Sequence, residues 1–304
     1  MKKIYDMIVI GGGPGGYTAA LYGARAGLSV VVLEKLSAGG QMALTENIEN
    51  YPGFEEGIDG FELGEKMQQQ AERFGAETEL AEVLSVKLDQ DVKELETSEG
   101  TFFGKTVVIA TGANAKKLGL PNEESLVGRG VNYCAACDGM RYKGKTVAIV
   151  GGGNSAVADA LILSRIAEKV ILIHRRDSLR ATKVYHKALE KTDRIEFRWN
   201  SLVTEFLHDG TFRGVKIQDV QTNAESLISC DGIFVSIGRS PASKLFENQL
   251  ELDSAGYIVA DSSTRTSLPG VYAVGDVRTT PLRQVVTAVA DGALAAQQAE
   301  EYLL

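Results

Sequence analysis

Residues 5–34 read YDMIVIGGGPGGYTAALYGARAGLSVVVLE: an apolar run, a glycine-rich turn, a stretch of small residues and a second apolar run. Residues 145–174, KTVAIVGGGNSAVADALILSRIAEKVILIH, follow the same plan. Continuous Val, Ile and Leu runs are typical of parallel strands that are buried on both faces. Each stretch therefore predicts a strand–helix–strand unit, and the repeat predicts two such units in one chain.

Both glycine turns have the spacing of a dinucleotide-binding fingerprint. They read Gly11-x-Gly13-x-x-Gly16 and Gly151-x-Gly153-x-x-Ala156. The first glycine permits a tight turn, the second lets the backbone approach a pyrophosphate, and the third position must be small for helix to pack on strand. One such motif alone is a weak signal, because a plain tight turn can carry it. Two copies in the same context predict two dinucleotide sites.

The end of the second strand distinguishes the two sites. In the first unit it is Glu34, whose carboxylate is placed to accept hydrogen bonds from ribose hydroxyls, unless it is an ordinary surface acid. The second unit has His174 there, followed by Arg175 and Arg176, with Arg180 a turn further on. Guanidinium groups match phosphate oxygens bidentately, so this loop predicts NADPH rather than NADH. The alternative is a solvated basic loop.

The pairing of the two sites suggests the identity of the first cofactor. Two nicotinamide nucleotides could not usefully exchange a hydride, whereas a flavin and NADPH can. The N-terminal site is therefore interpreted as a site for FAD.

Composition limits the class of protein. The chain has 304 residues, enough for about two domains of roughly 100–200 residues each. Its net charge of -8 argues against a nucleic-acid partner, which would need a basic face. No apolar run approaches the ~18–20 residues of a membrane span. Three cysteines are too few for a disulfide-rich secreted scaffold, which favours the cytoplasm.

Residues 133–139, YCAACDG, contain Cys134 and Cys137 with Asp138 directly after them. Taken alone, the pair could be half of a metal site, a structural staple or a redox pair. A structural zinc site needs about four ligands, and neither Cys230 nor the three histidines show a complementary spacing, so no metal is predicted. A small loop at a helix start, where the dipole lowers a thiolate pKa, favours reversible disulfide chemistry.

Two further helices are indicated outside the repeat. Residues 59–75, with Phe61, Leu63, Met67 and Phe74, have an amphipathic pattern, and residues 285–303 form a run of small residues.

These motifs together resemble one family. They are GGGPGGYTAA, ATGA at 110–113, CAACDG at 134–139, GGGNSA at 151–156, HRRDSLRA at 174–181, and VYAVGDV with RQ at 271–284. In order and spacing, the chain is similar over essentially its whole length to the low-molecular-weight, bacterial-type thioredoxin reductases of the class II pyridine nucleotide-disulfide oxidoreductase family.

The resemblance implies an α/β fold with two Rossmann-like, three-layer nucleotide-binding domains. The NADPH-binding domain, residues 116–242, would carry the cysteine pair and be inserted into a discontinuous FAD-binding domain of residues 1–115 and 243–304. The resemblance also implies rotation of the inserted domain between two states, with hinges near 113–118 and 239–245. The internal repeat supports two domains independently.

Family roles can be transferred to matching positions. For FAD these are Gly11, Gly13, Pro14, Gly15, Gly16, Glu34, Lys35, Gly39, Gly40, Gln41, Asn50, Ala110, Thr111, Gly112, Gly275, Asp276, Arg283, Gln284 and Val285. For NADPH they are Gly151, Gly153, Asn154, Ser155, Ala156, His174, Arg175, Arg176, Arg180 and Gly238. Gly15 departs from the family, which more often has alanine there, but glycine still allows close packing.

The activity that the resemblance implies is thioredoxin-disulfide reduction. Electrons would pass from NADPH to FAD and then to the Cys134–Cys137 disulfide, with Cys137 facing the flavin. Cys134 would then attack the disulfide of thioredoxin or a thioredoxin-like protein. Asp138 would donate and accept protons, although a helix-stabilising acid is the alternative. The family also implies a homodimer, and Cys230 is expected to be an inert, partly buried thiol.

Two other functions stay open at this point. One is a related flavin disulfide reductase that serves another thioredoxin-like or peroxiredoxin-system acceptor. The other is a non-catalytic flavin-binding redox sensor, against which the intact dithiol and the intact NADPH motifs argue.

Overall fold

The computed structural model describes residues 2–45, 47–189 and 191–304. The chain divides into two compact units, residues 1–114 with 240–304, and residues 115–239. The boundaries predicted from the sequence lie at 115/116 and 242/243, and the nucleotide assigned to each domain stays a prediction. Within the described ranges, no helix is both long enough and apolar enough to cross a membrane.

The strands in chain order are β1 (Ile4–Ile10), β2 (Val30–Glu34), β3 (Glu77–Leu80), β4 (Val83–Lys87), β5 (Lys93–Thr97), β6 (Gly100–Ile109), β7 (Ala113–Ala115), β8 (Val131–Asn132), β9 (Thr146–Val150), β10 (Lys169–Ile173), β11 (Ile195–Arg198), β12 (Ser201–His208), β13 (Phe212–Asp219), β14 (Glu225–Ser229), β15 (Gly232–Val235), β16 (Arg239–Pro241) and β17 (Val271–Ala273). The α-helices are α1 (Pro14–Arg25), α2 (Gly60–Arg73), α3 (Ala135–Asp138), α4 (Asn154–Ile166), α5 (Lys183–Leu189) and α6 (Val285–Leu303). Short 3-10 helices span Gly40–Leu44, Glu124–Leu126, Gly139–Tyr142, Lys244–Phe246 and Gly275–Val277.

The first unit is built on a seven-stranded sheet with the order β3-β2-β1-β6-β5-β4, in which β17 also pairs with β6. Strands β1, β2, β3, β6 and β17 run parallel, and Val107 of β6 pairs with Val271 of β17. The hairpin of β4 and β5 is antiparallel and joins β6 along its first residues. A strand from the end of the chain therefore completes a sheet that the start of the chain begins.

Alternate residues of β1 build two cores, one on each face of this sheet. Met7 packs with buried residues of α1 and α6, including Tyr17 and Ala295. Ile8 packs on the other face, in a cluster that contains Phe246. Burying each large apolar side chain contributes roughly 1.5–3 kcal/mol, so continuous apolar strands are stable only between two such layers.

The second unit repeats this three-layer plan. Its parallel sheet has the order β11-β10-β9-β15-β8. Ile149 faces helix residues such as Leu163, whereas Ile171 faces the antiparallel sheet of β12, β13 and β14, where Val215 is buried. The predicted α/β fold with two Rossmann-like units is confirmed, and α6 has the predicted bounds.

Candidate nucleotide and disulfide sites

The first glycine turn leaves an open cradle in front of α1. Gly11 has a φ of +102°, and a Cβ there would lie 2.6 Å from the carbonyl oxygen of Ala110. A Cβ on Gly16 would overlap the carbonyl oxygen of Gly11. A Cβ on Gly13, by contrast, would meet no atom within 4 Å, and no side chain caps the helix that starts at Pro14. Free space before an uncapped helix N-terminus fits a pyrophosphate.

Glu34 lies at the end of β2, beside this turn. Its Oε2 accepts a hydrogen bond from the Gly12 N–H at 2.6 Å, and its Oε1 accepts one from the Leu36 N–H at 2.9 Å. Lys35 instead pairs with Glu82 at 2.8 Å on the exposed surface. Glu34 is thus placed where a ribose-binding acid is expected, while Lys35 is directed towards a neighbouring acid.

A second loop lies against the glycine turn. The Gly39 N–H donates to the Gly12 carbonyl at 2.8 Å, and a Cβ on Gly40 would lie 3.7 Å from the Cα of Gly13. Gln41 Nε2 donates to Asn114 Oδ1 at 3.2 Å. Gly39 and Gly40 therefore lie beside the first cradle, and Gln41 follows them in the chain.

The segment at the end of β6 follows the same edge. The Ala110 N–H donates to the Ile10 carbonyl at 2.8 Å, which places this segment beside the glycine turn. Thr111 Oγ1 donates to the Ala242 carbonyl at 2.8 Å, and Gly112, with a φ of +70°, accepts from the Ala242 N–H at 2.9 Å.

The C-terminal stretch brings its predicted residues to this unit. Asn50 Nδ2 donates to Gln284 Oε1 at 3.0 Å, although the two residues are 234 positions apart. The guanidinium of Arg283 lies 4.0 Å from the ring centroid of Tyr257. Asp276 lies in the short Gly275–Val277 helix. Side chains from both ends of the chain are therefore close together in the first unit.

The start of α6 packs closely on α1. Val285, its first residue, is partly buried against the cluster that contains Met42. A Cβ on Gly15 would lie 3.1 Å from both the Ala288 carbonyl oxygen and Val274 Cγ2. Glycine at this position therefore avoids a tight contact that an alanine Cβ would make.

The second glycine turn repeats the first. A Cβ on Gly151 would lie 2.6 Å from the Cβ of Ala156, which is fully buried, so a small residue is needed there. A Cβ on Gly153 would meet no atom within 4 Å, and no side chain caps α4. Asn154 Oδ1 accepts from the Thr182 N–H at 2.9 Å. The exposed Ser155 completes the start of the helix.

The basic loop after β10 contacts this second turn. The Arg180 N–H donates to the Gly152 carbonyl at 2.7 Å, and the side chains of Arg175, Arg176 and Arg180 are exposed. His174 is 5% exposed, and its ring packs against Gly152. Burial, followed by the charges of the three arginines, lowers the pKa of His174, which favours the neutral ring.

Two side chains near this turn were not predicted from the sequence. Ser236 Oγ donates to Asp159 Oδ2 at 2.6 Å, and burial raises the pKa of Asp159. A Cβ on Gly151 would overlap the Ser236 carbonyl oxygen, so the pair lies beside the glycine turn. Gly238, also predicted for NADPH, has a φ of +111°, and its carbonyl accepts from the Lys116 N–H at 3.0 Å. A lone acid inside a helix gives no sequence signal.

Cys134 and Cys137 form a disulfide with a Cα–Cα distance of 5.3 Å. Cys134 precedes α3, and the Cys137 N–H donates to its Sγ at 3.2 Å. Asp138 Oδ1 lies 3.9 Å from Nη1 of Arg141, and the Asp138 side chain is 15% exposed. This position suits either a proton carrier or an acid that stabilises the helix, and both interpretations stay open.

The third cysteine is in a different environment. Cys230 is 5% exposed, and burial raises the pKa of its thiol to about 12. Its thiol is therefore protonated at neutral pH. Across the part of the chain that the structure describes, no group of three or more His, Cys, Asp and Glu side chains is placed to hold a metal ion.

Comparison with known proteins agrees with this geometry. Residues 5–292 match the family model of the pyridine nucleotide-disulphide oxidoreductases. The thioredoxin reductase of Listeria monocytogenes is 44% identical over 303 residues, covering 99% of this chain and 95% of the relative. That of Bacillus subtilis is also 44% identical, with 99% and 96% covered.

A solved structure gives the same result. The crystal structure of thioredoxin reductase from Streptococcus pyogenes matches with a TM-score of 0.92 and 41% identity, over 100% of this chain and 99% of that one. The chain therefore belongs to the pyridine nucleotide-disulphide oxidoreductases and, within them, to the low-molecular-weight thioredoxin reductases.

Proposed function

We propose that this enzyme is an NADPH-dependent flavoprotein that reduces the disulfide of thioredoxin or a thioredoxin-like protein. The observation that carries the proposal is the disulfide between Cys134 and Cys137. Cys134 directly precedes the single-turn helix α3, and Cys137 lies within it. The chain that presents this disulfide also has two glycine cradles, each open at an uncapped helix N-terminus.

FAD is proposed for the first unit. Gly13 leaves room for the pyrophosphate, and Glu34 stands at the strand end where ribose hydroxyls would lie. Asn50, Gln284 and Arg283 would approach the flavin from opposite ends of the chain. When bound, FAD supplies hydride acceptance from NADPH and electron transfer to a disulfide.

NADPH is proposed for the second unit. Gly153 offers the second open cradle, and the exposed Arg175, Arg176 and Arg180 would bind the 2′-phosphate. Guanidinium forks bind such a phosphate through paired charge-assisted hydrogen bonds, which a free 2′-hydroxyl of NADH could not match. Binding specificity for NADPH would therefore arise from this loop.

The reduced cysteine pair would act on the partner in two steps. The Cys134 thiolate forms a bond to one sulfur of the partner's disulfide, and the other sulfur leaves as a thiolate. The Cys137 thiolate then attacks Cys134, which restores the Cys134–Cys137 disulfide and releases the second partner thiolate. Asp138 is proposed to supply and collect the protons.

Three further features are inferred from the family. We propose that the inserted domain rotates relative to the rest of the chain, through hinges near 113–118 and 239–245, so that nucleotide and disulfide take turns at the flavin. A crosslink that locks the two units together should then stop turnover. A homodimer and a cytoplasmic location stay predictions as well.

The decisive experiment is reduction of thioredoxin by the purified yellow protein, with NADPH and NADH assayed side by side against several thioredoxins. Cys137→Ser should abolish thioredoxin reduction and leave bound FAD in place, whereas Cys230→Ala should retain both. NADPH oxidation without transfer to any disulfide protein would reject the proposal in favour of a redox sensor. Transfer only to other thioredoxin-like proteins would identify a different acceptor.

A further inference from the structure

Glu123 is a buried acid outside the motifs of the nucleotide sites. Glu123 is only 3% exposed. Oε1 accepts a hydrogen bond from the Leu118 N–H at 2.9 Å, and Oε2 accepts from the Gly119 N–H at 2.7 Å and the Leu120 N–H at 3.3 Å. A buried carboxylate is stable only when its oxygens are satisfied in this way.

A fourth donor connects this carboxylate to the cysteine motif. The hydroxyl of Tyr133 donates to Glu123 Oε1 at 2.8 Å. Burial, and then the Glu123 carboxylate, raise the pKa of Tyr133, so the hydroxyl keeps its proton at physiological pH. Glu123 therefore ties residues 118–120, close to the start of the second unit, to the residue that directly precedes Cys134.

The chain on the N-terminal side of Cys134 lies in short elements. Strand β8 contains only Val131 and Asn132, at the edge of the parallel sheet, and α3 is a single turn of four residues. Asn132 is anchored separately, because its Nδ2 donates to the Tyr142 hydroxyl at 2.8 Å. Short elements are marginal on their own, so the hydrogen bond from Tyr133 to Glu123 adds an anchor directly before Cys134.

We propose that Glu123 and Tyr133 are positioning residues for thiol–disulfide exchange. By fixing the backbone before Cys134, they hold its Sγ in the orientation from which it attacks the partner's disulfide. Nucleophilic attack at sulfur is sensitive to alignment, and loss of alignment slows a reaction without weakening the binding of the partner. This inference rests on the proposed function, because it assigns the exchange step to Cys134.

The test uses the holoenzyme with Tyr133→Phe, which keeps the ring and removes the hydrogen bond. Turnover with thioredoxin should fall about 3- to 10-fold in kcat, the size expected for one hydrogen bond. The KM for thioredoxin and the NADPH-driven reduction of ferricyanide, which needs no dithiol, should stay unchanged. The Glu123→Gln variant, which has one oxygen in place of two, should show the same division between the two assays.

Tyr272→Phe is the matched control. Tyr272 is also buried, and its hydroxyl donates to the Gln298 carbonyl at the same 2.8 Å, but it lies in the first unit. Equal kcat values in Tyr133→Phe and Tyr272→Phe would overturn the inference. An equal fall in thioredoxin and ferricyanide turnover would also overturn it, because that pattern marks a general loss of structure.

A second readout separates this inference from the choice of acceptor. The chemically reduced enzyme is mixed with the small disulfide 5,5′-dithiobis(2-nitrobenzoate), and the fast thiol phase is followed. Slower reaction of Tyr133→Phe than of Tyr272→Phe supports the positioning role even if no thioredoxin proves to be a substrate. Equal rates reject the positioning role even if the wild-type enzyme does reduce thioredoxin.

Discussion

Arg278 Nη1 lies 2.9 Å from Asp291 Oδ1, and the two side chains are only 9% and 15% exposed. Arg278 Nη2 also donates to the Asp261 carbonyl at 2.6 Å, and Asp291 Oδ2 accepts from the Gly275 N–H at 2.9 Å. The ion pair therefore fixes the turn before Asp276, a predicted FAD ligand, against α6.

We expect Asp291→Ala to destabilise the protein by about 3–5 kcal/mol, because it leaves the Arg278 charge buried without its partner. The midpoint of urea unfolding measures this effect, and FAD retention on a desalting column measures the accompanying effect on the turn. Glu301→Ala is the control, since Glu301 and Arg265 pair at 3.9 Å on the exposed surface, where a pair is worth ~0–1 kcal/mol. A comparable loss in both variants would contradict the prediction.

Replacing Arg175 and Arg176 together with alanine should raise the KM for NADPH by roughly 10- to 100-fold, because charge-assisted hydrogen bonds to a 2′-phosphate are lost. The KM for NADH, which lacks that phosphate, should change far less. Arg213→Ala controls for the loss of an exposed guanidinium, because Arg213 pairs with Asp209 elsewhere in the unit. Equal increases for both nucleotides would refute the assignment of the loop to the 2′-phosphate.

The glycine turns could be predicted from the sequence because their physics is local. Gly11 and Gly151 have positive φ values where the fingerprint requires a tight turn. Helix α6 was also predictable, since its small residues lie close to α1: a Cβ on Gly292 would be 2.9 Å from the Ala19 backbone nitrogen. Such requirements leave a trace in residue type and spacing.

The exposure of individual side chains left no such trace. The amphipathic pattern predicted for residues 59–75 included Phe61 and Phe74, yet these are 45% and 41% exposed, whereas Leu63 is buried. Phe74 lies near the guanidinium groups of Arg25 and Arg73, at 5.2 and 5.0 Å, which compensates for its exposure. Periodicity shows that a helix is amphipathic, but it does not show how far each apolar residue is covered.

The two glycines of the first fingerprint should respond differently to alanine. Gly13 has an ordinary φ of -79° and open space at its Cβ position, so Gly13→Ala should fold normally and bind FAD roughly tenfold more weakly, through a clash with the pyrophosphate. Gly16→Ala should lower the melting temperature even without FAD, because its Cβ would overlap the Gly11 carbonyl. Fluorescence titration of apoprotein with FAD and thermal unfolding of the apoprotein separate the two effects. Unchanged FAD affinity in Gly13→Ala would show that the pyrophosphate does not bind at this turn.

The thiol of Cys230 should make the free energy of unfolding depend on pH in the alkaline range. Burial raises its pKa from 9.0 to about 12. Below about pH 9 the thiol is protonated in both folded and unfolded chains, so this group adds no pH dependence. Between pH 9 and about 12 the unfolded chain ionises first, so the free energy of unfolding should fall by up to ~1.4 kcal/mol per pH unit as pH rises.

Thiol titration and pH-dependent unfolding test this prediction together. At pH 8, the chemically reduced enzyme should show two fast thiols, from Cys134 and Cys137, and release the third only on denaturation. Subtracting the stability curve of Cys230→Ala from that of the wild type isolates the alkaline slope from the titration of lysines and tyrosines. A third fast thiol in the native enzyme, or identical slopes in the two proteins between pH 9 and 11, would mean that Cys230 is accessible to solvent, and its ordinary reactivity would then have to be included in any count of redox equivalents.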